Sequence, residues 1–195
     1  MSNSNHYSLE RLADRQAIRD ALRRWVRAVD RREWPLVREA FHPDGTDNHG
    51  TYNGGVDGLI DWLTERHKTI EHCTHLLSDS FIEFSGPDTA VCETYCVAFS
   101  RYAAVSARAL RQRFNSPGDK DFPDGAIDMV TNGRYVDVFE RRNGEWRIAR
   151  RTTVFDNPMM FPAPAAGPSM SPEWPVGKRD RTDPLWEVRS SVGLA

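Results

Sequence analysis

The strongest constraint in this sequence is a change of period near residue 70. Before it, apolar residues recur at helical spacing. After it come four runs rich in Val, Ile, Phe, Tyr and Thr, each bounded by turn residues. From Ser8 to about Arg32, residues Leu12, Ile18, Leu22, Trp25, Val26 and Val29 mark the buried face of an amphipathic helix, with Arg19, Arg23, Arg24 and Arg27 on other faces. Glu33-Trp34-Pro35 opens a second, short helix ending near Phe41, followed by the turn residues His42-Pro43-Asp44-Gly45. Thr46 to Tyr52 reads as a short strand, and Gly54-Gly55 separates it from a third helix over about Val56 to Thr69. The strands expected next are Leu76–Phe84, Thr89–Tyr102, Ala126–Arg141 and Glu145–Phe155, with Asn143-Gly144 as a hairpin turn. Ala103 to Gly125 reads mostly as loop, with one helical turn around Val105 to Arg111.

Helices followed by a run of antiparallel strands is an α+β order, with helices packed on one face of a curved sheet, an arrangement that can enclose a pocket. At 195 residues the chain has room for one domain. We read residues 1–156 as that domain. Residues 157–195, carrying seven prolines from Pro158 to Pro184, read as an extended, irregular extension that packs on the domain or on a neighbouring subunit. Six Trp, nine Phe and five Tyr need burial, which excludes disorder throughout. A net charge of −2 supplies no field for a polyanion, so nucleic acid is not expected as a partner. No apolar run approaches the roughly 20 residues of a membrane helix and the N-terminus lacks a signal pattern, so a cytoplasmic protein without membrane contact is expected. Cys92 and Cys96 stand four apart in one expected strand, about 13 Å between Cα atoms and too far for a disulfide. Together with Cys73 they read as packing residues.

Several side chains could carry chemistry. Asp30 lies at the margin of the apolar stripe near the end of the first helix, either as a solvated helix-end charge or as a partly buried acid. His75 leads into an expected strand among apolar neighbours. A neutral histidine is suited to accept a proton near pH 7, and a carboxylate on its other nitrogen fixes the tautomer. His72 and His75 stand three apart with no third ligand evident nearby, so no metal is expected. Arg134 shares a strand face with Val136 and Val138; it either pairs with a carboxylate such as Glu93 or stabilises developing negative charge. Trp25, Tyr52, Trp62, Tyr95, Phe99 and Phe155 are candidates to line an apolar substrate pocket, or simply core. There is no GxSxG elbow, phosphate-binding glycine loop or HExxH pair.

The segments Leu12 to Ile18, Ala28-Val29-Asp30, Thr74 to Asp79, Gly133 to Asp137 and Phe139 to Trp146, in this order and spacing, resemble the SnoaL-like branch of the nuclear transport factor two-like (NTF2-like) superfamily over roughly Leu9 to Asp156. The resemblance implies a cone-shaped α+β fold with a deep cavity. It also implies cofactor-independent lyase chemistry by an aspartate–histidine dyad, falling here on Asp30 and His75, with a strand arginine on Arg134. The residue five before the aspartate, a lysine or tyrosine in the dehydratase and dehydrochlorinase relatives, is Trp25. A different substrate is therefore expected. The reading is a dehydratase- or dehydrohalogenase-type lyase, or an isomerase, acting without cofactor on a small apolar, cyclic or steroid-like molecule. The alternative is a non-catalytic ligand-binding or oligomerisation domain. A homodimer or homotrimer is implied.

Overall fold

The computed structural model describes residues 7–113, 125–164, 171 and 173–194. Helix α1 (Leu9–Arg31) is capped at its start by the Ser8 side chain, which accepts from the Arg11 backbone N–H, and ends at Arg32 in the left-handed conformation. Its buried face carries Ile18, Ala21, Leu22, Trp25, Ala28 and Val29. Helix α2 (Trp34–Ala40) begins with Pro35 in its first turn, and helix α3 (Val56–Arg66) runs into a 3-10 turn at His67–Thr69.

The strands are β1 (Phe41–Asn48), β2 (Asn53–Gly55), β3 (Ile70–Phe84), β4 (Thr89–Tyr102), β5 (Ile127–Arg142) and β6 (Glu145–Pro162). They form one curved, unclosed sheet in the order β2-β1-β6-β5-β4-β3. The pairs are antiparallel except β1 with β6, which is parallel. Asn143 and Gly144, both at positive φ, make the expected turn between β5 and β6.

Four local expectations are corrected. His42 to Gly45 do not end an element; they form the irregular part of β1, where the register against β6 shifts between Phe41 and Thr46. β3 begins at Ile70, six residues before the expected start, so His75 stands inside a strand and opposite Ala98 of β4. The turn expected after β4 is a full helix, α4 (Ala104–Arg113), whose Ala107 and Leu110 cover Ile70, Tyr102 and Ile127; residues 114–124 of that expected loop lie outside the described residues. Finally, Asn157 to Pro162 continue β6 by pairing with β5. β1 reaches only to Thr152 on the other side, which leaves an open edge where proline can be accommodated. Further on, where an irregular extension was expected, Asp183 caps and Pro184 opens a short helix α5 (Pro184–Ser191).

The segment between β6 and α5 sends Arg179 beneath the end of α1. Its guanidinium donates to the carbonyls of Val29, Asp30 and Ile70 at 2.8–3.0 Å, and to His67 Nδ1 at 2.6 Å. A helix end presents unpaired carbonyls and the negative end of its dipole, and a buried cation answers both. Among the described residues no helix is long and apolar enough to cross a membrane.

Gly133 sits at the irregularity between β5 and β6, where a Cβ atom would fall 2.2 Å from the carbonyl oxygen of Val154. Gly133→Ala is therefore expected to destabilise the fold by about 1–3 kcal/mol, read by urea unfolding. Arg179→Ala strands the α1 carbonyls and is expected to lower stability by about 2–4 kcal/mol in the same assay.

Candidate active site

The concave face of the sheet and the inner faces of α1 and α3 bound one cavity of about 680 Å³, counting its open mouth. Inward-facing residues of the sheet line it, among them Cys73 and His75 from β3, Cys96, Ala98, Ser100 and Tyr102 from β4, Thr131, Gly133 and Tyr135 from β5, and Thr153 and Phe155 from β6. Trp25 and Val29 of α1 and Trp62, Leu63 and Arg66 of α3 close the other side. Most of this lining is apolar.

Asp30 and His75 meet despite the 45 residues between them. His75 Nδ1 lies 2.6 Å from Asp30 Oδ1, and the His75 backbone N–H donates to Asp30 Oδ2 at 2.9 Å. An ionised carboxylate only accepts, so the proton resides on Nδ1 and Nε2 is left for the cavity. The two side chains are 12% and 13% exposed. Burial opposes a charge on His75, but the neighbouring Cys73 sulfur and the Asp30 carboxylate outweigh it, raising its pKa well above the ordinary histidine value. Cys73 Sγ lies 3.8 Å from the same Nδ1 and 3.5 Å from Ser100 Oγ. Asp30, Cys73 and His75 thus present three ligand atoms within 4.8 Å of one another. A metal ion taken up there through Nδ1 would have to replace the dyad's hydrogen bond, so the two uses exclude each other.

Arg134 borders the cavity, but its guanidinium is held by Glu93 at 2.9 Å and by Asp156 at 2.9 Å, beside the Tyr95 ring. Glu93 and Tyr95 alternate with the inward Cys92, Thr94 and Cys96, which puts this cluster on the outer face of the sheet. The ion pair with Glu93, one of the two readings of Arg134, is the one seen. Trp25, Trp62 and Phe155 of the expected lining residues reach the cavity; Tyr95 and Phe99 do not, because they point outward from β4 and are 56% and 46% exposed. Tyr52 also lies outside. Its hydroxyl donates to the Gly55 carbonyl and fills the space that Cβ atoms at Gly54 and Gly58 would need.

The sequence reading missed Arg66, which donates to the Tyr102 hydroxyl at 2.7 Å and lies over Trp62. It also missed His49 and the buried pair of Asp137 and Arg151, joined by two hydrogen bonds of 2.7 Å. Asp137 does alternate with Tyr135 and Phe139 on the face of β5 opposite Arg134, an acid among aromatics that signals a buried partner. Nothing in the sequence marks Arg66.

The same arrangement of curved sheet and helices around a cavity is found in the NTF2-like superfamily. A structure of that superfamily from Salmonella enterica matches with a TM-score of 0.55 and 19% identity, over 80% of this chain and 96% of that one. The SnoaL-like domain family matches residues 10–152, and the chain belongs to that family. Among solved structures, LinA is similar with a TM-score of 0.64 and 18% identity, over 84% of this chain and 98% of that one. A scytalone dehydratase candidate from Novosphingobium aromaticivorans matches with a TM-score of 0.61 and 19% identity, over the same shares. A search of the curated proteins finds no match.

His67 and His75 act oppositely on stability. His67, pressed down to about 2 by burial and then by the Arg179 charge, stays neutral in the fold. An unfolded histidine takes up a proton below about pH 6.5, so stability is expected to fall on acidification by up to ~1.4 kcal/mol per pH unit. His75 keeps a proton that the unfolded chain loses, so its contribution is full below about pH 6.5 and fades as pH rises through its folded value. His67→Gln, which can still accept from Arg179, is expected to remove about 1.5 kcal/mol of the loss between about pH 6.5 and pH 5, measured by urea unfolding at both values.

Proposed function

We propose that this protein is a cofactor-independent lyase or isomerase acting on a small, largely apolar molecule, with His75 as the base that removes an activated C–H proton. The observation that carries this reading is the 2.6 Å hydrogen bond from His75 Nδ1 to Asp30, which directs Nε2 chemistry into an apolar cavity. A hydrocarbon-like substrate displaces water there, and desolvation disfavours the imidazolium, drawing His75 toward its basic form as substrate binds. Asp30 holds the ring and stabilises the imidazolium formed on proton transfer. Arg66, fixed by Tyr102, supplies the cation facing developing negative charge that Arg134, tied to Glu93 and Asp156, does not. The similarity to LinA and to hexachlorocyclohexane dehydrochlorinase structures, at 16–18% identity, is consistent with elimination chemistry. A homodimer or homotrimer would cover the outward Leu76, Phe81, Tyr95 and Phe99, all large and exposed.

The probe is 5-nitrobenzisoxazole, a planar aromatic C–H acid whose ring opens on proton removal and is followed by absorbance. Its kcat/KM is expected to rise with pH above neutrality as His75 loses its proton. Asp30→Asn places an amide NH2 against Nδ1 and drives the proton to Nε2. Activity is expected to drop by about 10²–10⁴-fold in this variant and in His75→Ala, with the fold retained by circular dichroism. Undiminished ring opening in either variant, or ring opening that requires added zinc, overturns the reading.

A further inference from the structure

The cavity contains a second imidazole built on the same plan. His49 follows the end of β1 and lines the cavity together with His75. β1 and β3 are separated in the sheet by β6, β5 and β4, so the two imidazoles belong to different walls. His49 Nδ1 lies 3.3 Å from Asp47 Oδ1 and 3.2 Å from Thr153 Oγ1. The carboxylate accepts, so Nδ1 carries hydrogen and Nε2 has no partner among the described residues. Trp62, Phe155 and Trp25 surround the ring, with centroids 5.4, 5.9 and 6.3 Å away, and keep it in one place.

Beneath His49 the charges are unequal. Asp47, Asp137 and Arg151 are each 0–1% exposed, and Asp137 takes two hydrogen bonds from Arg151. Asp47 is the carboxylate left over, with its Oδ2 atom buried and without a hydrogen bond. Asp47 thus stands to His49 as Asp30 stands to His75, a buried carboxylate beside Nδ1 that orients the ring while Nε2 is without a partner.

We infer that His49 is the general acid of this site, delivering a proton from Nε2 to a departing oxygen while His75 takes the proton from carbon. This rests on the reading of His75 as the base. It narrows the substrate to one that loses a hydroxyl or other oxygen leaving group, since halide departs without a proton and hydroxide does not. In the elimination the C–H electron pair forms the new double bond, the C–O bond breaks with its pair going to oxygen, and oxygen takes the His49 proton to leave as water. The site is restored when His75 returns its proton to solvent and His49 takes one up. Asp47 and Thr153 are positioning residues for His49.

Benzisoxazoles with leaving phenols of different acidity read the acid directly, because C–H cleavage is shared and only the departing oxygen changes. Wild-type kcat/KM is compared with His49→Gln, which keeps a donor for Asp47, and with His49→Phe, which keeps the ring packing. In both, the loss for unsubstituted benzisoxazole, whose phenolate leaves poorly, is expected to exceed that for 5-nitrobenzisoxazole by at least about 10-fold. His75→Ala is expected to lose both substrates alike. A loss equal across the series in both His49 variants, or no loss, overturns the assignment while leaving the base intact. Failure of wild-type protein to open either ring removes the base and the acid together.

Discussion

The structure depends on one carboxylate accepting two hydrogen bonds from one residue of a distant strand. Asp30 takes both the backbone N–H and the ring N–H of His75, so the end of α1 is fixed against β3 in position and in rotation. A single hydrogen bond would leave the imidazole free to swing; the pair sets which nitrogen faces the cavity. The helix end is held in turn by Arg179, which engages the carbonyls of Val29 and Asp30 and also reaches Ile70 at the start of β3. Helix, strand and C-terminal segment therefore meet at the residue that orients His75.

A buried charge is tolerated where it is paired and hydrogen-bonded, and the two walls of this cavity meet that rule to different degrees. On the β3 wall the imidazole and Asp30 satisfy one another. On the β1 wall Arg151 is clasped by Asp137 and lies 4.8 Å from the Trp25 ring and 4.1 Å from the Tyr135 ring, while Asp47 supports His49. Trp25 lines the cavity from α1. Its indole packs against the arginine, and the polar functions of the cavity come from Arg66, Tyr102 and His49. The site is thus an apolar chamber with proton-bearing groups on separate walls, a layout suited to taking a proton from one atom and giving one to another.

Strand alternation decides which candidate residues share this chamber. Inward positions along β4 are Cys92, Thr94, Cys96, Ala98 and Ser100, so Tyr95 and Phe99 fall on the outer face whatever their chemistry suggests. Arg134 follows the same parity on β5 and meets Glu93 of its neighbour. The sequence already showed Arg134 in register with Val136 and Val138 and out of phase with Tyr135 and Asp137. What it lacked was which of the two faces was concave.

Local pattern alone determined the helix-then-strand order, the Asn143-Gly144 turn, β4 and the candidacy of Asp30 and His75, because 3.6-residue and two-residue periods and turn chemistry are written in neighbouring residues. Only the tertiary structure decided that Asp30 and His75 touch, that β3 begins early enough to carry His75 inside the sheet, and that Arg179 and His67 lock the end of α1. It alone placed His49 and Arg66 at the cavity and joined Asp137 to Arg151. These are contacts between residues tens of positions apart, set by the curvature of the sheet and the strand order β2-β1-β6-β5-β4-β3, and no spacing along the chain encodes them.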